Sequence, residues 1–476
     1  MELKENPAPM HEQHGIDAYA AYVPAYALDD NRIDATGPPR TGGPVRGVAA
    51  FDEDSITMAV EALRHIAAGA PTDRHLLLAT TSAPYQGKTS AAVVHEAVGL
   101  DPGISAVDLH GHRSGAVALD TVLRTGAVAA LADVRITRPG APDELAQGDA
   151  AAAYVGGGTR AAVLLARAGR TVELLERWRL PGERHDRVWD ERFTAEVLAE
   201  AGLDVARRAL AEAGRDGVDH VVVSSSNARC AAVLRRALGG AGQDAAVERL
   251  TGFTGAAHPG LLLAATLDEA EPGQHILLLS VTEGADAFVL RVGDQVRAAR
   301  GGPSVRAQLD ARHRLGYGRY LRWRGLLDVQ GPARPAAPAP AAPPMHRRAG
   351  WKYRLEGSRC TACDTVTTPP SRVCARCGVV ASSAEPTTTV SLRDRTAQVV
   401  SSTRDHLTTM PEPEVAIVVA DVAGGGRLSA YATDVDPADV VVGMSMTPTF
   451  RRLWTTDAIH NYFWKLRPRK DTLDGQ

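Results

Sequence analysis

The sequence predicts an α/β class protein: a layered, duplicated α/β domain, then a small metal-stapled module and a small closed β-barrel. Three observations carry this. Short apolar runs alternate with helical stretches over the first 300 or so residues, a strand-turn-helix unit is written twice, and two C-x-x-C pairs follow a proline-rich boundary.

The elements follow in order. Residues 55–66, SITMAVEALRHI, put apolar side chains at helical spacing with Asp54 or Ser55 as N-cap. Runs at 76–78, 107–109, 221–223 and 276–279 are apolar between polar flanks and read as buried strands, with helical stretches such as 195–213 between them. Residues 106–125, AVDLHGHRSGAVALDTVLRT, and 246–267, AVERLTGFTGAAHPGLLLAATL, each read as strand, Gly-containing turn and apolar helix. In a duplicated fold two such turns face one cleft, because the ends of equivalent strands carry the functional loops.

Residues 331–345, GPARPAAPAPAAPPM, are extended by their prolines into a semi-rigid linker or an ordered strap lying on a domain. Beyond it, Cys360 and Cys363 are followed by Cys374 and Cys377, two knuckles that bring four thiolates to a tetrahedral zinc. A closed four-thiolate site leaves no position for water, so this metal is structural. Short alternating runs at 388–392, 398–402 and 415–422, with a glycine turn at 424–426, fit the barrel. The expected boundaries are 1–328 for the α/β domain, with halves at about 15–168 and 169–300, then 329–345 for the linker, 346–384 for the metal module and 385–476 for the barrel.

Composition excludes several partners. Lys+Arg 53 against Asp+Glu 56 leaves a formal charge of -3, which gives no global field for nucleic acid or an anionic membrane. No apolar run approaches the roughly 18 residues of a membrane span, and the opening residues lack a signal peptide's apolar core. A soluble, cytoplasmic protein is expected. Five cysteines form no disulfide framework, and four of them sit in the metal pattern.

The stretches ATTSAP (79–84), VDLHGHRSGAVALD (107–120), GDAAAAYVGGG (148–158), SSSNARCAAVLRRA (224–237), TGFTGAAHPG (251–260) and EGADAFVLRV (283–292) resemble successive landmarks of the thiolase superfamily, in its hydroxymethylglutaryl-CoA synthase and ketoacyl-ACP synthase III branch. The resemblance covers roughly residues 15–295. It implies a thiolase-like layered fold, an acyl-CoA or acyl-carrier-protein substrate, a homodimer through this domain and, in some assemblies, a thiolase-like partner subunit. The tail, including 354–378 and 434–446, resembles the rubredoxin-like zinc ribbon plus OB-fold domain that accompanies many thiolase-like acyl-CoA enzymes. It lacks the basic and aromatic stripe of a nucleic-acid-binding OB fold.

The departures from the family pattern direct the functional reading. Where the family carries a nucleophilic Cys at a helix start, this chain reads His112, Arg113, Ser114, Gly115. The family's catalytic His is replaced by Ser224, in a run ending at Asn227; the Asn of its G-N-T run by Phe253; the Glu of a hydroxymethylglutaryl synthase by Thr81. Cys230 sits among apolar neighbours and reads as buried rather than nucleophilic.

Arg113, at the positive end of a helix, needs an anion. That anion is either internal, Glu283 or Asp286, or a carboxylate, phosphate or enolate oxygen of the substrate. His258 opens the second apolar helix, where dipole and burial both favour neutral imidazole; it is a proton-transfer group or a packed helix-capping residue. His110 and His112 flank the first turn, and His112 completes the candidate catalytic set of His258, Arg113, Ser224, Asn227 and His112. A retro-aldol or aldol reaction on an acyl thioester needs no acyl-cysteine and fits best. Direct acyl transfer and a catalytically silent scaffold subunit are the alternatives.

Overall fold

The computed structural model describes residues 14–30, 43–68, 70, 73–240, 242–330, 335, 337–381 and 387–469. Much of the first domain hangs on one ten-stranded sheet. Its order is His220–Ser225, His275–Thr282, Gly284–Val292, Ala162–Thr171, Gly15–Tyr22, Ala150–Gly156, Val128–Asp133, His75–Thr80 and Ser105–His110, with Arg300–Gly301 added beside Gly15–Tyr22. The strands Val128–Asp133, Ala150–Gly156 and His275–Thr282 are buried along their whole length, as near-continuous apolar runs require.

The sheet divides at a narrow seam, where Gly15–Tyr22 meets Ala162–Thr171 only through Gly15 and Ile16. A Cβ on Gly15 would stand 2.2 Å from the Ala162 carbonyl oxygen, so the seam needs glycine. Two apolar helices, Ser114–Thr125 and His258–Glu269, lie between the halves. Leu119 and Leu261 share one core with Leu77 and Leu131 of the first half and Ile276 and Phe288 of the second. Outside, Ser55–Leu63 and Ala91–Val98 cover the first half, while Glu191–Glu212 and Ala228–Leu238 cover the second. The result is five layers, helix and sheet alternating.

The helix expected at 55–66 runs from Ser55 to Leu63; Asp54 caps it, accepting from the Thr57 amide while the Thr57 hydroxyl accepts from the Asp54 amide. The element before the second turn differs from the expectation. Residues 246–251 are the end of helix Gln243–Thr251 rather than a strand, with Val247 and Leu250 at helical spacing against the inner core. The duplicated unit therefore survives in its turn and apolar helix but not in the element before them.

In the tail, Val366–Thr367, Glu356–Arg359 and Thr388–Ser391 form a three-stranded sheet. Thr388–Ser391 pairs with Glu356–Arg359, so the run at 388–392 belongs with the cysteine module and not with the barrel. Five further strands pair antiparallel in the order Arg427–Tyr431, Val415–Val422, Ala397–Asp405, Ser445–Thr456 and Ile459–Pro468. A parallel bridge between Ala432 and Leu466 brings the two ends of this sheet together. The described part of the proline-rich segment lies along the last hairpin, where the Thr456 hydroxyl donates to the Ala337 carbonyl at 2.7 Å. Ala342–Arg347, inside the expected linker, is helical.

The tail docks on the outer helix of the first half. Phe450, Tyr462 and Trp464 join the core of Ile56 and Val60. Beneath them lies a buried ionic cluster: Arg451 pairs with Glu53 and, at 2.6 Å, with Asp434, and Lys465 pairs with Asp52 at 2.8 Å. No helix of the described residues is long and apolar enough to cross a membrane.

Candidate functional site

The two buried helices begin side by side. A Cβ on Gly115, in the first turn of the first helix, would lie 2.0 Å from the Ala256 carbonyl oxygen and 3.2 Å from Pro259 of the second, so glycine permits the approach. Around this junction the strands present a polar row on the inner face. Ser224, Ser280, Asp286 and Gly169 stand in register across four neighbouring strands.

Arg113 finds its anion in that row. Its Nε donates to Asp286 Oδ2 at 2.7 Å, and a second guanidinium nitrogen donates to Oδ1 at 2.9 Å, while a third reaches the Thr171 hydroxyl at 2.6 Å. The forked geometry spends most of the guanidinium on the protein itself. Of the two internal partners expected, Asp286 is the one bonded.

His258 is completely buried. The Thr254 amide donates to its Nδ1 at 3.3 Å, which leaves the neutral ring's proton on Nε2; that atom is buried and has no partner. Burial, with a further push from Arg235, drives its pKa down to about 3. The ring of Phe253, at the family's Asn position, packs against it with centroids 4.9 Å apart. His258 is thus a hydrogen-bond donor at Nε2 and never a cation near neutral pH. No hydrogen bond or ion pair of the described residues joins it to Arg113; the helix starts adjoin but the side chains engage different partners.

The remaining candidates divide. Ser224 is fully buried on the inner face and its hydroxyl has no partner. Asn227 is committed as a cap: its Oδ1 accepts from the amides of Arg229 and Cys230, and its Nδ2 donates to the Glu191 carbonyl at 2.9 Å. Cys230 is buried under the outer helix layer, and burial pushes its thiol up to about 12.

Thr81 leads to residues the sequence reading missed. Its hydroxyl donates to Asp133 Oδ2 at 2.9 Å, and the same oxygen accepts the Ala256 amide at 2.7 Å, tying the second helix start to the first half-sheet. On its other side, Arg135 donates to Thr81 Oγ1 at 2.9 Å. Arg135 pairs with Asp186, which also lies 3.5 Å from Arg179 and 3.9 Å from Arg177. Burial alone would raise the Asp186 carboxyl, but Arg135 and its neighbours hold it below its usual range. His112 feels the same charges. Its pKa falls to about 3 through burial and Arg135, against the opposing pull of Asp186, and its Nδ1 is buried without a partner. Arg177 and Asp186 sit on or beside the two-stranded hairpin of Arg177–Trp178 and Arg187–Val188. The signal available was the density of Arg, Glu and Asp in ERWRLPGERHDRVWD (176–190) between the halves.

In the tail, the sulfurs of Cys360, Cys363, Cys374 and Cys377 all lie within 4.8 Å of one another. The Cys360–Cys377 and Cys363–Cys374 separations are 3.7 and 3.6 Å. A tetrahedral zinc with Zn–S of ~2.3 Å spaces its sulfurs about 3.8 Å apart, so the cysteines fit that ion.

Comparison with known proteins agrees with this architecture. A family model described as ChsH2, rubredoxin-like zinc ribbon domain, matches residues 349–379. The hydroxymethylglutaryl-CoA synthase of Thermococcus kodakarensis is 28% identical over 353 residues, covering 65% of this chain and 96% of its own length. An HMG-CoA synthase solved with CoA superposes with a TM-score of 0.54 at 18% identity, over 65% of this chain and 90% of its own. The HMG synthase of the curacin biosynthetic pathway, solved with an acetyl donor-ACP, gives 0.55 at 16% identity, over 66% of this chain and 88% of its own. The chain therefore has a thiolase-like α/β fold, is similar in sequence to hydroxymethylglutaryl-CoA synthases over its first two thirds, and matches a rubredoxin-like zinc ribbon of the ChsH2 type in its C-terminal part.

Proposed function

We propose that this protein acts on an acyl thioester, borne by CoA or an acyl carrier protein, and makes or breaks a carbon-carbon bond without an acyl-cysteine intermediate. The observation that carries the reading is Arg113. The position of the family's nucleophile holds a guanidinium bound by Asp286, and Cys230, the one cysteine outside the ribbon, is buried with a raised pKa. The substrate class is supported by the relatives, named as hydroxymethylglutaryl-CoA synthases, and by neighbours solved with CoA and with a donor-ACP.

In the retro-aldol direction a base takes the β-hydroxyl proton, the carbon-carbon bond breaks to release an aldehyde or ketone, the electron pair passes to the thioester as an enolate, and the protonated base returns its proton to the enolate carbon. The enolate oxygen needs donors. We assign His258 Nε2–H and the Ser224 hydroxyl to it, and the β-hydroxyl proton to His112, which burial and Arg135 keep neutral and whose Nδ1 is buried without a partner. Arg113 and Asn227 hold the turns in position. Direct acyl transfer from thioester to an acceptor uses the same donors.

A panel of acyl-CoA and β-hydroxyacyl-CoA substrates, followed by mass spectrometry of free products and intact protein, tests this. Released products with an unmodified chain are expected; a thioester adduct on Cys230 overturns the non-covalent scheme. The silent-scaffold reading is favoured by one observation, the buried Phe253 ring closing over His258. Absence of all turnover, with a stable complex to a cysteine-bearing homologue, would establish it instead.

The cysteines support a structural zinc, one per chain. Metal binding there organises loops with little core of their own, so Cys363→Ser is expected to lower bound zinc and to loosen the tail before the α/β domain. Elemental analysis finding well under one zinc in native protein would reject this. The closing bridge of the five-stranded sheet supports an OB-fold reading of the barrel. The edge strand Ser105–His110, with Val107 exposed, supports a homodimer through edge pairing.

A further inference from the structure

Lysine is scarce in this chain. There are five among 476 residues, against 53 Lys and Arg together, so nearly every cation is an arginine, which never sheds its proton. Lys352 stands apart from the other described lysines. Its helix, Ala349–Arg354, packs on Ala91–Val98 of the first domain and on the last strand of the tail, Ile459–Pro468. The side chain is half-buried there; its Nζ donates to Asn461 Oδ1 and lies 5.6 Å from the centre of the Tyr353 ring. We propose that Lys352 is a modification site, an amine that acyl thioesters acylate directly. The inference goes beyond the thioester reading above and takes from it only the acyl donor.

Neutral neighbours decide its chemistry. An amide oxygen and a ring face hold the nitrogen in place but do not repay the hydration an ammonium loses on burial. Carboxylates would, and the two on elements packed against this helix, Glu96 and Glu356, are both bound by Arg354. The other titratable groups on those elements bring no negative charge. His346, Arg347, His95, Arg359 and His460 are basic, Tyr462 donates to Asp54 at 2.8 Å, and Lys465 and Arg467 engage Asp52 and Glu61. Burial therefore lowers the Lys352 amine to about 8 with no opposing pull. Lys465, by contrast, is wholly buried on Asp52, and Lys88 feels the charge of Asp108. At pH 7.5 an amine of pKa 8 is about one quarter neutral, whereas an ordinary lysine near 10.4 is roughly 0.1% neutral.

In the step itself the unprotonated nitrogen attacks the thioester carbonyl carbon. A carbon-nitrogen bond forms, the carbon-sulfur bond breaks, and the proton shed by nitrogen ends on the departing thiolate. The products are an amide on Lys352 and a free thiol, with no further reactant. Position gives the modification a consequence. Asn461 adjoins His460, whose amide donates to the Tyr85 hydroxyl at 2.8 Å and whose ring packs on Tyr85 with centroids 4.9 Å apart. Tyr85 belongs to the loop that begins at Thr81. An acyl group on Lys352 removes a charge and adds bulk where the tail meets the loop leading out of the candidate site.

Incubation of the full chain with acetyl-CoA across a pH series, followed by intact mass spectrometry and peptide mapping, tests the assignment. One dominant acetyl group on Lys352 is expected, with a pH midpoint near that of the amine. At pH 7.5 it should form about 10-fold faster than on free Nα-acetyl-lysine amide, the gain in neutral amine less the weaker nucleophilicity of a weaker base. Lys352→Arg keeps a cation and a donor for Asn461 and should abolish the adduct. Asn461→Asp supplies the missing carboxylate, and should move the midpoint upward and slow acetylation at pH 7.5 about 10-fold, which mere exposure of the lysine would not predict. Acetyl groups spread over the lysines at the rate of the free amine, an unmodified Lys352, or a rate indifferent to Asn461→Asp overturns the proposal. Modification by acetyl phosphate but not by acetyl-CoA overturns it too, because the thioester is then not the donor. Lys352 is outside the catalytic groups assigned above, so the two readings fail separately: an adduct without turnover of any β-hydroxyacyl-CoA supports this site and rejects the enzyme, and turnover without an adduct does the reverse.

Discussion

Replacing Arg451 by methionine is expected to cost about 3–5 kcal/mol of stability, the usual effect of removing one partner from a buried ion pair. The guanidinium is wholly buried, and it is shared by Glu53 of the first domain and Asp434 of the tail. Nearby, Lys465 meets Asp52, which also accepts the Thr433 hydroxyl at 2.9 Å. Methionine fills the space but strands the negative charges, whereas a coordinated change to apolar residues on both sides would be far milder. Denaturant unfolding followed through the tail's tryptophans checks this, and an unchanged midpoint would refute it. The cluster also carries a pH dependence. Burial raises the Asp52 carboxyl, but Lys465 and Arg451 outweigh burial and hold it below its usual value. Its contribution is therefore present above the ordinary carboxylate range and is lost as pH falls through the depressed folded value.

His258→Ala is expected to lower turnover of an identified substrate about 10²–10³-fold, the typical loss of one donor to a developing oxyanion, with zinc content retained. His258→Gln keeps an N–H in the same region and should recover part of the rate, which a purely packing role would not predict. Stability supplies an independent measurement. The folded ring titrates at about 3 and an unfolded one near 6.5, so between those values the unfolded chain binds the extra proton. Stability is complete above the unfolded value and declines as pH falls below it, by up to about 1.4 kcal/mol per pH unit for this one group. Unfolding midpoints at pH 7.5 and 5 should differ less in His258→Gln than in the native chain; equal differences would mean the histidine is exposed and the donor assignment is wrong.

The parts legible in the sequence are those written locally. The helix Ser55–Leu63 announces itself through Asp54 and Thr57, the buried strands through short apolar runs, and the cysteine site through spacing. That Arg113 needed an anion was also legible, but the choice between Glu283 and Asp286 was not. It depends on strand alternation, which turns Asp286 inward on the same face as Phe288 while Glu283 falls in the bend between strands. The Arg135 and Asp186 cluster was missed because it draws on a loop after Val128–Asp133, the turn after His75–Thr80 and a distant hairpin. Each of these charges alone looks like solvated surface. Residues 246–251 misled for a different reason: AVERLT suits either period, and the fold decided it by anchoring Asp244 to the Val223 amide at 3.0 Å and to Arg235 at 2.7 Å.

The ionic cluster beneath the barrel also bears on how such a protein is encoded. Asp52 and Glu53 lie ahead of the proline-rich segment, and Arg451 and Lys465 lie behind it. Cut in that segment, the two pieces would present complementary charges flanked by matching apolar surfaces, Ile56 and Val60 on one and Phe450 and Trp464 on the other. Neither surface suits exposure to water by itself. The recognition between the pieces thus resides in the folded surfaces and not in the tether.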